Sequence, residues 1–220
     1  MSRYLRDMIA SGEGSRLDFK YCISDSRKIA RTLSAFANTD GGTLLIGVRD
    51  NGSIAGVRDD EEMYMIETAS RLFCKPEIPV NVKTHSVNGK TVLEVKVDKG
   101  LKRPYKAKSD DGSWKSYTRQ ADQNIVANRV ILDIWRKEKN KRGVMVTFTE
   151  TENKLLDYLR KNETITLSGF RRITGVNNNR ARQIVVNLIL LGIIDIVVTD
   201  KGVYYKLAQT KEESQPLPKR

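Results

Sequence analysis

The sequence predicts an α+β protein, with a mixed sheet and helices in a first domain and a small helical domain behind it. Three observations support this. Short segments with strand alternation recur between residues 17 and 118, and segments with helical spacing separate them. Beyond residue 142 the pattern changes to three helical segments and one final hairpin. We therefore predict domains at 1–142 and 143–208, followed by a disordered tail at 209–220.

The stretch from Asp18 to Gly56 organises the first domain. Asp25 or Ser26 can cap a helix, because an apolar stripe at helical spacing follows. The run Asn38-Thr39-Asp40-Gly41-Gly42 ends that helix, since Gly and Asn best tolerate a left-handed residue. The nearly continuous apolar run at 43–48 then predicts a strand that is covered on both faces.

The remaining elements follow the same two periodicities. Helices are predicted over 3–11, 59–73 and 121–137, and strands over 17–21, 80–85, 91–97, 104–108 and 114–118. The charged run at 136–142 has no apolar anchor and predicts a linker. In the second domain, a capping box at 149–152 begins the first helix, Ser168 is the expected cap of the second, and the third covers 177–191. A hairpin at 193–207 completes a predicted winged helix-turn-helix.

Charge and composition limit the function classes. The net charge is +12, of which residues 1–100 contribute +1 and residues 101–220 contribute +11. A basic field of this kind favours nucleic acid or another polyanion, and the alternative is a solvated face without a partner. One His and two scattered Cys, expected to be reduced thiols, give no zinc ligand set. The sequence contains neither a membrane-length apolar run nor a signal peptide, so we expect a cytoplasmic protein without a membrane partner.

Three short motifs carry a resemblance to a known family. They are Asp18-Phe19-Lys20, the run Ala35-Phe36-Ala37-Asn38-Thr39-x-Gly41-Gly42, and Ile46-Gly47-Val48. With Pro104-Tyr105 and Tyr117-Thr118-Arg119 further on, they resemble the Schlafen-type AlbA-like DNA-binding domain family. The resemblance continues loosely to about residue 125 and implies an AlbA-like fold. For function it implies two classes, since the family contains both regulators and RNA-cutting enzymes.

The resemblance also implies an acidic site. In Schlafen-type ribonucleases, two glutamates five residues apart and an aspartate after the Ile-Gly-Val motif form a metal-dependent cutting site. Glu13 matches the first position, Asp18 stands at the second and Asp50 lies nearest the third. Such carboxylates can bind Mg²⁺ or Mn²⁺ and activate water. The alternative is structural: Glu13 in a loop, Asp18 paired with Lys20 or another base, and Asp50 capping a turn.

The glycine turn is a second candidate site. Amides at Asn38, Gly41 and Gly42 can cradle a phosphate, and relatives are often described as ATP-binding. A P-loop is excluded, because its Gly-Lys-Ser/Thr pattern is absent from the sequence. The simpler interpretation is a helix stop that leads into a buried strand.

The third candidate is a basic hairpin with interleaved rings. Its cations can contact phosphates, and Tyr105, Trp114 and Tyr117 can stack on unpaired bases. In the alternative interpretation the rings face the core. The cations are Lys102, Arg103, Lys106, Lys108, Lys115 and Arg119.

The fourth candidate is the winged helix. The first half of its third helix would enter the major groove, where Arg can pair with guanine and Asn or Gln with adenine. The alternative is a winged helix used for dimerisation. The expected base contacts are Asn178, Asn179, Arg180, Arg182 and Gln183, and the expected phosphate contacts are Arg171, Arg172 and Lys201.

Together these features predict a homodimeric transcriptional regulator that binds double-stranded DNA and requires no cofactor for binding. The alternative is a Schlafen-like endoribonuclease that uses Mg²⁺ or Mn²⁺ on structured RNA. A second alternative is a regulator that senses a nucleotide in its first domain.

Overall fold

The computed structural model describes residues 2–57, 61–139, 147–199 and 202–209, which contain both helices and strands. The fold is α+β. By contact density the chain divides into two compact units, residues 1–136 and 137–220. The predicted boundary at residue 142 and most of the predicted tail lie outside the described residues. None of the described helices has the length and apolar character needed to cross a bilayer.

The first unit contains the following elements: α1 Arg3–Ala10, β1 Leu17–Lys20, α2 Ser26–Asn38, β2 Gly42–Ile46, α3 Glu61–Arg71, β3 Cys74–Lys75, β4 Asn81–Val87, β5 Lys90–Val97, β6 Lys106–Lys108, β7 Trp114–Gln120, β8 Gln123–Val126 and α4 Arg129–Lys139, which runs past residue 136. Its first sheet has the order β1-β2-β5-β4, with β1 parallel to β2 and the other pairs antiparallel. Its second sheet, β3-β6-β7-β8, is antiparallel throughout.

Helix α2 packs against both sheets. Ten of its thirteen residues are buried, which requires cover on nearly every side. Its core includes Leu44 and Ile46 from the first sheet and Ala107 and Tyr117 from the second. The opposite face of the first sheet presents Leu45 to a smaller cluster under α1. The predicted strand covered on both faces is thus confirmed.

The segment predicted as a helix over 121–137 begins instead with a strand. Ile125 and Val126 pair with Thr118 and Tyr117 on β7, as their β-branched side chains favour. The helix starts only at Arg129. Periodicity alone placed these two apolar residues on the wrong element, because a helix and an edge strand both accept an adjacent apolar pair.

The second unit contains α5 Glu150–Lys161, α6 Leu167–Thr174, α7 Asn178–Leu190 and a hairpin of β9 Ile194–Thr199 and β10 Gly202–Leu207. The predicted capping box of Thr149 and Glu152 is present at the start of α5. Helix α6 is capped by Thr166 rather than by Ser168, and it ends at the left-handed Gly175. Ile165, just before α6, pairs through both backbone hydrogen bonds with Tyr205 of the hairpin.

Candidate nucleic-acid interface

Asp18 lies on β1, facing α2, and its carboxylate is enclosed by cations. Its side chain is only 5% exposed. Oδ1 accepts a hydrogen bond from Arg119 Nη2 at 3.0 Å, and Oδ2 lies 3.0 Å from Lys20 Nζ. The alternative interpretation, in which Asp18 pairs with Lys20 or another base, describes this geometry.

Arg119 comes from β7 and ties the second sheet to β1. Its guanidinium donates to the backbone oxygens of Gly14 at 3.1 Å and Leu17 at 3.3 Å, and to Asn124 Oδ1 at 3.0 Å. It also lies over the ring of Phe36, 5.3 Å from the centroid. With its side chain 1% exposed, Arg119 does not occupy the accessible position expected of a phosphate contact.

The predicted acidic trio is not brought together. Glu13 Oε1 accepts the backbone N–H of Phe19 at 2.6 Å, and burial raises the pKa of Glu13, with the nearby Asp18 adding to the rise. Asp50 is exposed in the turn after β2. Among the described residues, no three acidic, His or Cys side chains are grouped to hold a metal ion. The placement of Asp50 corrects the expectation of a shared cation site, because only Glu13 and Asp18 are neighbours.

Asn38 is a buried cross-link rather than a phosphate ligand. Its Nδ2 donates to the backbone oxygens of Tyr105 at 2.8 Å and Tyr117 at 2.9 Å, and its Oδ1 accepts the N–H of Tyr105 at 2.8 Å. It is 1% exposed. The last residue of α2 therefore satisfies backbone groups near β6 and on β7, which leaves it no free polar atom for a ligand.

The two glycines of the turn are required by close packing. Gly41 has φ +73°, and a Cβ there would lie 2.7 Å from Val97 O. A Cβ on Gly42 would lie 2.5 Å from the Phe36 ring. The Gly41 N–H donates to Phe36 O at 3.0 Å and so is not available to a phosphate. These contacts correct the phosphate-cradle expectation in favour of a helix stop.

The basic hairpin is only partly an open surface. Tyr105 and Tyr117 are core residues, 7% and 6% exposed, whereas Trp114 is 39% exposed. Arg103 is half-buried, within 3.4 Å of Asn38 O and over the Trp135 ring. Of the other predicted cations, Lys115 lies 3.0 Å from Asp111, Lys108 is partly exposed, and Lys102 and Lys106 are exposed.

The second unit presents a basic, amide-rich surface on α6 and α7. Its exposed members are Arg171, Arg172, Asn178, Asn179 and Gln183. On the other side of α7, the residues Ala181, Ile184, Val185 and Leu188 are buried. The surface therefore belongs to a helix that the core holds in a fixed orientation. Lys201, predicted for the wing, lies outside the described residues.

Two further arginines of α7 lie beside this surface. Arg180 Nη2 lies 3.4 Å from Oε1 of Glu152, whose side chain is 4% exposed, while the Arg180 side chain itself is 52% exposed. Burial alone would raise the pKa of Glu152, but hydrogen bonds from Thr149 and the charge of Arg180 lower it overall. Arg180 thus contacts a buried carboxylate and also faces solvent, whereas Arg182 is half-buried.

Lys75 is an exposed cation that the sequence patterns missed. Cys74-Lys75-Pro76 predicted the end of a helix, yet Cys74 and Lys75 form β3 beside β6. A two-residue strand has no periodicity from which it could be predicted.

Comparison with known proteins finds a family match for the first unit. Residues 13–128 match the family model described as Schlafen, AlbA_2. No curated protein matches the chain. Among solved structures, the DIP2311 protein of Corynebacterium diphtheriae is 18% identical with a TM-score of 0.43, over 71% of this chain and 38% of that one. The N-terminal domain of a RecG-related protein from Nitrosomonas europaea is 23% identical with a TM-score of 0.41, over 66% of this chain and 94% of that one. The match to the family model covers more than half of the residues of this chain, and the chain therefore belongs to the Schlafen AlbA_2 family.

Proposed function

We propose that this protein binds nucleic acid and that its second unit is a winged helix-turn-helix that reads double-stranded DNA, as part of a transcriptional regulator. Membership in the Schlafen AlbA_2 family supports the nucleic-acid-binding part of the proposal. The observation that carries the rest is the exposed surface of α6 and α7, which combines two arginines with three amides.

The order of elements in the second unit supports the winged helix. Helices α6 and α7 are joined by a short turn that starts at the left-handed Gly175 and ends at Asn177, the cap of α7. The hairpin that follows pairs with Ile165, so the wing is anchored to the segment that leads into α6. This is the connectivity of the DNA-binding motif, whose second helix lies in the major groove.

The chemistry of the surface fits a duplex. Asn and Gln side chains pair with the adenine edge in the major groove, which the exposed Asn178, Asn179 and Gln183 can reach from α7. Arg171 and Arg172, on the preceding helix, suit the phosphates that position the protein. Arg180, whose side chain is 52% exposed beside Glu152, remains a candidate base contact in the proposal.

A homodimer is the expected functional form. Dimeric helix-turn-helix proteins bind two half-sites one helical turn apart, which doubles the contacts made by a small reading surface. The enriched sequences of the experiment below should accordingly be palindromic. Sedimentation of the free protein would check the oligomeric state independently.

The test of DNA reading is selection from a random duplex pool, followed by binding measurements on the enriched sequence. Asn179→Ala and Gln183→Ala should each cost about 1–3 kcal/mol on that sequence and relax the preference at one position. The double variant Arg171→Ala/Arg172→Ala should weaken all duplexes and reduce the salt slope by about 2.

The matched control removes two positive charges from α5 instead, by Arg160→Ala/Lys161→Ala, both of which are exposed. It should leave the sequence preference unchanged. Failure of the wild type to enrich any sequence, or equal losses in the control and the α6 variant, would contradict duplex reading by this surface.

A further inference from the structure

We propose that the first unit carries a separate site for a single strand of nucleic acid on one face of its second sheet. We define this lysine face by four residues, Lys75, Lys106, Lys108 and Trp114. The inference rests on the proposed nucleic-acid function only for the class of ligand. It does not depend on the winged helix of the second unit.

Strand register places the four residues on one face. Lys75 of β3 is directly opposite Lys106 of β6, and Lys108 is directly opposite Trp114 of β7. Opposite residues of an antiparallel pair share a face with their Cβ atoms about 4.5–5.5 Å apart. Lys106 and Lys108 are two residues apart on one strand, so they share the face as well. Three lysines and one tryptophan therefore share this face, with Lys108 directly opposite Trp114.

The ion pairs of the described residues do not include the lysines of this face. Like charges directly opposite each other destabilise a sheet, and Lys75 and Lys106 form such a pair. The described residues offer no acidic group within 4 Å of Lys75, Lys106 or Lys108. An external polyanion would relieve this repulsion.

The acids of the adjacent turn are already engaged. Asp110 lies 2.6 Å from Arg31, and Asp111 lies 3.0 Å from Lys115 and accepts hydrogen bonds from Ser113. The hydrogen bond from Arg31 holds the pKa of Asp110 below its usual range, and those from Ser113 and Lys115 do the same for Asp111. Both carboxylates are thus ionised and balanced by their own partners, so they do not neutralise the lysine face.

Trp114 determines which polyanion fits. This residue is 39% exposed, although a core position would have buried it like Tyr105 and Tyr117. An exposed indole beside cations stacks on a nucleobase, and such stacking accepts any base. Bases inside a duplex are stacked on each other and cannot reach it. The lysine face therefore favours a single strand, with its phosphates on the lysines and one unpaired base on the indole.

The test uses the full chain and measures anisotropy with a labelled oligo-dT of about 12 nucleotides, a typical site size for such proteins. Trp114→Ala should weaken binding about 5- to 100-fold, with Trp114→Phe retaining part of the affinity. Lys75→Ala/Lys106→Ala should reduce the salt slope by about 1.4. The controls are the exposed Tyr64 and the exposed lysines Lys83 and Lys96, each changed to Ala.

Two further measurements keep the site separate from the winged helix and from folding. Arg171→Ala/Arg172→Ala should weaken duplex binding while oligo-dT binding is retained. In Trp135→Phe, Trp114 is the single remaining tryptophan, and oligo-dT should quench its emission directly. Equal affinity of Trp114→Ala and wild type, an equal loss in Tyr64→Ala, or binding of neither oligo-dT nor oligo-rU would overturn the assignment. Comparing oligo-dT with oligo-rU of the same length distinguishes a DNA strand from an RNA strand. Loss of duplex binding alone would contradict only the proposed function.

Discussion

The buried pair of Asp18 and Arg119 offers a sharp test of how the first unit is held together. We consider Arg119→Met, which keeps an apolar stem over Phe36 and removes the guanidinium. The change leaves a carboxylate whose side chain is 5% exposed with Lys20 as its remaining cation. It also removes donors to the Gly14 and Leu17 carbonyls. If Asp18 is structural, the stability of the first unit must fall.

The expected loss follows from these contacts. Removing one partner of a buried ion pair costs about 3–5 kcal/mol, because the other charge stays buried. Lys20 is only 3.0 Å from Asp18 Oδ2 and partly compensates, so we expect about 3 kcal/mol. In Asp18→Asn/Arg119→Met neither charge remains. The loss in free energy of unfolding of the double variant should therefore be smaller, by at least about 1 kcal/mol, than the sum of the losses in the two single variants.

Urea unfolding followed by tryptophan fluorescence is the appropriate assay. Both tryptophans, Trp114 and Trp135, lie in the first unit, so the signal reports on that unit alone. The exposed ion pair of Arg136 and Asp133 supplies the control, since Arg136→Met should cost less than about 1 kcal/mol. A loss in Arg119→Met no larger than in this control, or strict additivity in the double variant, would refute the structural role of the pair.

Three other changes test the packing and the charges. Asn38→Ala removes the buried hydrogen bonds to Ser34, Tyr105 and Tyr117 and should lower the free energy of unfolding by about 3 kcal/mol in the same urea assay. Gly42→Ala places a Cβ 2.5 Å from the Phe36 ring and should cost about 1–3 kcal/mol, which thermal unfolding would register. The pKa of Glu152 is lowered in the folded state, so the unfolded chain binds more protons at acid pH. The free energy of unfolding therefore falls as the pH drops below about 4.5. Glu152→Gln should flatten that dependence, as measured by circular dichroism melts at several pH values. An unchanged slope in Glu152→Gln would contradict the last expectation.

Most helices and strands could be predicted from the sequence, because the residues that begin and end them lie next to them in the chain. The helix that became α2 was visible from its cap and its stop, and the capping box of α5 from two residues three apart. The hairpin of β4 and β5 followed from its Asn-Gly turn. In each case the deciding residues lie within one turn of the element. The edge strands β3 and β8 were missed, since the neighbours that define them are distant in the sequence.

The role of a candidate site residue depended on such distant neighbours. Asn38 bonds to groups 67 and 79 residues away, and Arg119 reaches an aspartate 101 residues earlier. Sequence patterns predicted that these polar residues matter. They could not show that the polar atoms face each other in the core rather than a ligand. The exposed amides on α7 were more predictable, because helical periodicity itself separates an outer face from a buried one.

The position of the unbalanced charge explains why family membership predicts the fold more closely than the ligand. In the stretch that carries the family motifs, Asp18 is matched by Lys20 and Arg119, and Asn38 is matched by backbone groups. Polar groups that satisfy one another stabilise the arrangement of α2 between two sheets, and they leave little for a partner to bind. Binding requires groups that the protein does not satisfy itself. In our proposals those groups are the lysine face and the outer surface of α6 and α7, which lie largely outside the motifs, so the motifs predict the core more closely than the binding surface.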